Sequence, residues 1–126
     1  MTAKTINETR FLGDMVAQAE IGATGDGGVN RPALSETDME IRAWFEARVR
    51  EAGLAFHADG AGNLSGVYRS ANPDAKTLLI GSHLDSVRQG GRFDGTLGVL
   101  SALEATRVVK ENQTALPFHL ECISFT

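Results

Sequence analysis

Three side chains able to bind a metal or move a proton lie close together in one glycine-rich stretch. They are His83, Asp85 and Asp94, within Gly81-Ser-His-Leu-Asp-Ser-Val-Arg-Gln-Gly-Gly-Arg-Phe-Asp-Gly-Thr-Leu-Gly-Val99. In extended backbone, residues two apart point the same way, so Asp85 can reach one imidazole nitrogen of His83 while the other faces a metal. A carboxylate behind a metal-binding histidine fixes its tautomer and raises its basicity. Asp94 adds a second carboxylate, able to bridge two ions. Glycines at 90, 91, 95 and 98 let the chain turn sharply and approach a ligand closely.

Each residue also has a purely structural reading. His83 can be a hydrogen-bonded histidine at a strand end. Asp85 and Asp94 can serve turns and caps, and Asp94 before Gly95 suits a helix N-cap. A phosphate cradle would use the same glycines, but no GxGxxG or Walker pattern is present. His57 and His119, the other two histidines, fall in a hairpin strand and at a strand start near Pro117, where surface or packing roles are expected. Cys122 is the only cysteine, which excludes an intrachain disulfide. Its apolar surroundings favour a buried, inert thiol over a nucleophile.

The elements that must position this stretch are legible in outline. Thr5 to Ala19 reads as a helix with a Thr5/Glu8 capping box and an apolar stripe of Phe11, Leu12, Met15, Val16 and Ala19. Gly22, Gly25, Gly27 and Gly28 then form a loop that is either mobile or turned towards substrate. Ser35 to Ala52 reads as a second helix, capped by Ser35 and Asp38 and stopped by Gly53, with Ile41, Trp44, Phe45, Val49 and Ala52 inward. Its charged residues are expected to face water. Leu54 to Ala58 and Asn63 to Arg69 form a hairpin around Asp59 to Gly62. Thr77 to Ser82, with Leu78, Leu79 and Ile80 in a row, reads as a strand buried on both faces. Gly95 to Lys110 is a deeply packed helix, and Pro117 to Thr126 a final strand. A strand-helix-strand unit over Thr77 to Phe125 implies two parallel strands joined by a right-handed crossover. The element order argues for an α/β sandwich with a mixed sheet.

Composition sets the frame. The chain has 126 residues, 42% hydrophobic and 22% charged, which fits one ordinary globular domain rather than a disordered segment. A net charge of -4 with no Lys/Arg cluster argues against nucleic acid or an acidic membrane surface as partner. Met1 to Arg10 lacks an apolar leader segment, and no apolar run is long enough to span a bilayer, so a cytoplasmic, soluble protein is expected.

Taken together, Gly-Ser-His-Leu-Asp-Ser-Val and Gly-Gly-Arg-Phe-Asp-Gly-Thr-Leu-Gly-Val closely resemble the metal-binding signature of the M20-type metallopeptidase family. The branch most similar is that of the N-carbamoyl-L-amino-acid hydrolases and allantoate amidohydrolases. Gly28-Val-Asn-Arg-Pro-Ala-Leu-Ser35, Glu51-Ala-Gly-Leu54, Asp59-Gly-Ala-Gly-Asn-Leu64 and Ile123-Ser-Phe-Thr126 extend the likeness over essentially the whole chain.

The resemblance implies a three-layer α/β/α, zinc-exopeptidase-like fold. It implies His83 as ligand of one metal, Asp94 as a carboxylate bridging two divalent ions, and Asp85 as the active-site residue supporting the histidine. It also implies a cis Asp94–Gly95 peptide. Zn, Mn, Co and Ni all suit such donors. In the family a strand like Leu120 to Thr126 leads into an acidic run that holds a general-base glutamate and a further ligand. Two more histidine ligands and a lid or dimerisation domain follow. On that resemblance residues 1–126 are the N-terminal part of the catalytic domain, truncated at the C-terminal side and inactive alone, and the parent is a homodimer that hydrolyses an amide or ureido C–N bond of a small molecule. Two other functions fit the same residues. One is a non-catalytic interaction module, since a half-sheet leaves an edge strand and an apolar face. The other is an aminopeptidase or aminoacylase of the same superfamily.

Overall fold

The computed structural model describes residues 4–126; Met1 to Ala3, the first residues of the stretch read for a leader, lie outside it. The first helix, α1, runs Glu8–Glu20. It starts later than the capping-box reading of Thr5 implied, because Asn7 is the cap: its side chain accepts from the Arg10 N–H at 3.0 Å. The expected stripe is rotated as well. Met15 is buried, but so are Asp14 and Gln18, while Leu12 and Val16 are exposed. Asp14 is drawn inward by Arg107, and Gln18 by a buried arginine described below.

The glycine loop after α1 is tied down by β1 (Gly28–Val29). Helix α2 spans Glu36–Glu51, with Ser35 accepting from the Asp38 N–H and Asp38 accepting from the Leu34 N–H. The first bond satisfies a helix-end donor that would otherwise lack a partner, and the second ties down the residue before the cap. Ile41, Phe45 and Val49 are buried on its inner face. The hairpin consists of β2 (Ala55–Ala58) and β3 (Leu64–Tyr68), followed by β4 (Thr77–His83), the short β5 (Gly90–Gly91), α3 (Thr96–Glu111) and β6 (His119–Phe125).

Four strands form a mixed sheet in the order β2-β3-β6-β4, with β4 and β6 parallel and the remaining pairs antiparallel. The strand-helix-strand expectation is therefore met. Val49 of α2 packs on Gly66 of β3 beside Cys122 of β6, and α3 packs against β4 and β6 with α1 behind it. The helices stack on this one face, which gives an α/β fold with two of the three expected layers built from the described residues. The core joins Met15, Ile41, Phe45, Val49, Leu64, Leu84, Val99, Leu100, Leu103 and Cys122.

One expectation fails. The strand at Thr77–His83 is not buried on both faces: Leu78 is 46% and Leu79 49% exposed. Leu79 points to the face that carries no helix, and Leu78, on the helix face, lies at the edge of the sheet with β6 as the only neighbouring strand. Leu97 is likewise exposed on an otherwise well-packed α3. Among the described residues, no helix is long and apolar enough to cross a membrane.

Candidate metal centre at the carboxyl end of β4

β4 ends at His83, and its parallel partner β6 ends at the same edge, at Phe125. Ligands in open α/β sheets bind at such carboxyl ends. His83 Nδ1 lies 2.9 Å from the main-chain carbonyl of Asp85 and 3.3 Å from its carboxylate. Both neighbours are acceptors, so Nδ1 carries the proton and Nε2 presents its lone pair outward. Asp85 thus lies against this nitrogen with both its main-chain carbonyl and its carboxylate. On the other side of the ring, Asp94 Oδ2 stands 3.8 Å from Nε2. The three residues singled out in the sequence are therefore brought together.

Asp94 does not cap α3. Gly95 occupies the cap position with no side-chain hydrogen bond, and the Asp94 carboxylate is 75% exposed. The chain turns here without the cis bond that the resemblance implied; no described peptide is cis. Gly95 instead adopts φ 69 and ψ -52, and the Thr96 N–H donates to the Asp94 carbonyl at 2.7 Å. This is a γ-turn of positive φ, a rare and strained conformation that glycine tolerates. Gly95 is also required by contact, since a Cβ there would stand 2.4 Å from the His83 carbonyl oxygen and 2.5 Å from its Cε1. At Gly98 a Cβ would meet Ser82 Cβ at 2.8 Å, which explains how α3 approaches the end of β4 so closely.

The loop between His83 and Asp94 is held from below. β5, inside it, pairs antiparallel with β1, so the glycine loop after α1 lies directly beside the site. Arg31, 1% exposed, forms the main tie. Its guanidinium donates to the carbonyls of Leu84, Gln18 and Ile21, to Gln18 Oε1 and to Thr96 Oγ1, at 2.8–3.2 Å. Its main-chain N–H donates to Ser86 Oγ and its carbonyl accepts from the Ser86 N–H. Gln18 donates onward to the carbonyls of Met15 and Arg92. Burial pushes the Arg31 guanidinium below its ordinary value, partly offset by the charges of Asp38 and Asp85. Sequence reasoning gave Arg31 no role. The one signal was an arginine inside the Gly28–Ser35 segment.

His57 is exposed and His119 is a packing residue whose Nδ1 accepts from the Ser70 N–H, as expected. Neither joins the site. Among the described residues, no group of three or more His, Cys, Asp or Glu side chains is arranged to hold a metal. The donor chemistry of His83 and Asp94 suits a divalent ion, but two donors fall short of the roughly three protein ligands of a catalytic zinc.

The family model for peptidase family M28 matches residues 63–126. An N-carbamoyl-L-amino-acid amidohydrolase of Pseudomonas sp. (strain NS671) is 38% identical over 99% of this chain and 30% of its own length. The allantoate amidohydrolase of Bacillus subtilis (strain 168) is 33% identical over 84% of this chain and 26% of its own. A crystal structure of a hydantoinase/carbamoylase family amidase from Burkholderia ambifaria superposes with a TM-score of 0.92 at 38% identity, over 98% of this chain and 30% of that one. The chain thus spans about 30% of the length of such relatives.

Proposed function

The chain belongs to peptidase family M28, and from that premise we propose that it supplies one half of a two-metal amidohydrolase site. The reaction is hydrolysis of a linear amide or ureido C–N bond, of the N-carbamoyl amino acid or allantoate type. The observation that carries this reading is the juxtaposition of an outward-facing His83 Nε2 and an uncommitted Asp94 carboxylate at the end of β4. The names of the relatives support the substrate class.

His83 and Asp94 would hold the metal, drawn from Zn, Mn, Co or Ni. A divalent ion held there would supply Lewis-acid chemistry for a carbonyl and for an attacking water. Asp85 holds His83 Nδ1 as the N–H side of the ring, so that Nε2 is the nitrogen turned towards the metal. The γ-turn at Gly95 aims the Asp94 carboxylate at the same space. The remaining ligands and the general base are supplied outside this half-site, so residues 1–126 alone do not turn over substrate.

Release of ammonia from N-carbamoyl-L-amino acids and from allantoate, with Mn2+, Co2+ or Zn2+ added, tests the proposal. The expected result is no turnover by the 126-residue chain and His83-dependent turnover by a longer form. Robust turnover by the short chain would sink the inactivity claim. Undiminished activity of a longer His83→Ala form would sink the assignment of the site.

A further inference from the structure

We propose that Arg31, seconded by Gln18, is a positioning residue that sets the separation of His83 and Asp94, by clamping the backbone on both sides of the site. The inference rests on the reading of His83 and Asp94 as ligands, but its structural content is separate.

Two ligands on one flexible loop make a poor site unless something fixes the distance between them. Here the loop between them is glycine-rich, and its own β5 pairing spans only Gly90–Gly91. The Arg31 guanidinium reaches the Leu84 carbonyl, which lies between His83 and Asp85. It also reaches Thr96 Oγ1, two residues after Asp94. Gln18 Nε2 reaches the Arg92 carbonyl, two residues before Asp94. One buried pair of side chains therefore holds the chain beside all three site residues and touches none of them by side chain.

The chemistry of the clamp is unusual for a structural arginine. Buried guanidinium groups are normally paired with carboxylates. Every hydrogen-bond acceptor of Arg31 is neutral: three carbonyls, an amide oxygen and a hydroxyl. Its rigid planar fork, rather than its charge, is the property used, and lysine with one ammonium cannot reproduce it. The charges of Asp38 and Asp85 act on it only through space, with no hydrogen bond to either.

The test compares wild type, Arg31→Lys, Gln18→Leu and His83→Ala in the full chain by two readouts. Amide hydrogen exchange is measured without metal. Both clamp variants are expected to raise exchange across residues 84–96 selectively, with the β2–β3 hairpin as protected as in wild type. Co2+ affinity is then measured by titration calorimetry, and Arg31→Lys is expected to lower it about 10-fold or more, the usual effect of losing a group that orients ligands. Arg31→Lys keeps the positive charge, and the two clamp variants are read independently, so that either one that folds decides the exchange result. Unchanged exchange over 84–96, or a uniform rise that includes the hairpin, would overturn the positioning role. Co2+ affinity untouched by His83→Ala would overturn the metal reading alone, since the exchange result decides the clamp without it.

Discussion

The imidazole of His83 rests directly on the Cα of Gly95, with no room between them for a methyl group. This contact joins the last residue of β4 to the cap of α3, and it makes glycine obligatory at 95 for two reasons. The side chain would collide with His83, and φ 69 would be strained for any residue with a Cβ.

Gly95→Ala is accordingly expected to cost about 2 kcal/mol or more, from unfavourable positive φ and the displaced ring together. Urea unfolding monitored by circular dichroism checks this. A midpoint within error of wild type would mean that His83 moves aside freely and that its position is not fixed by α3.

Asp94→Ala should behave in the opposite way. The carboxylate caps nothing and is largely exposed, so the change in stability should stay within about 0.5 kcal/mol. Loss of an N-cap would instead cost about 1 kcal/mol. The same urea experiment separates the two. A clear destabilisation would return Asp94 to the structural role that its place before Gly95 first suggested.

Acid should weaken the joint between α1 and α3. Glu104 is buried, and burial alone would raise its pKa. The bidentate hydrogen bonds from Arg10, the Asn7 N–H and the charges of Arg10 and Arg107 outweigh that and hold it below its ordinary value of 4.5. A depressed folded-state pKa means that the stabilisation is fully present above the ordinary value. It is lost as pH falls through the folded one. Glu104→Gln, which leaves Arg10 and Arg107 less well paired, should lower stability by about 3 kcal/mol at neutral pH and flatten the acid limb of the stability profile. Urea midpoints measured from neutral to acidic pH decide it; an equally steep acid limb in the variant would assign the acid sensitivity elsewhere.

The uneven legibility of this protein has a physical pattern. His83, Asp85 and Asp94 could be read because their relations are local: period-two geometry joins the first two, and a short glycine-rich loop returns the third. The helices at Glu36–Glu51 and Thr96–Glu111 were legible for the same reason, the first from its Ser35 cap and apolar face and the second from its run of apolar residues alone, all properties of neighbouring residues. The edge position of β4 was not, because Leu78, Leu79 and Ile80 in a row look alike in a central and an edge strand, and strand order depends on distant pairings. The inward turn of Asp14 and Gln18 on α1 was hidden because their partners, Arg107 and Arg31, lie far away in sequence. Arg31 itself bonds mostly to main-chain carbonyls, which any residue provides, so no side-chain pattern announces it.

Cys122 offers a probe of the core that is independent of the site. It is fully buried on β6, donates weakly to the Gly66 carbonyl at 3.3 Å, and burial pushes its thiol above the ordinary range. Thiolate is the reactive form, so both access and ionisation oppose modification. Native protein is expected to resist a thiol-reactive disulfide reagent at neutral pH, with labelling that rises in step with the circular-dichroism unfolding curve in urea. Gly66 of β3, Val49 of α2 and Thr106 of α3 all lie around the sulfur, so labelling requires the helices to separate from the sheet. Rapid labelling without denaturant would show that this packing opens on its own, well below the free energy of global unfolding.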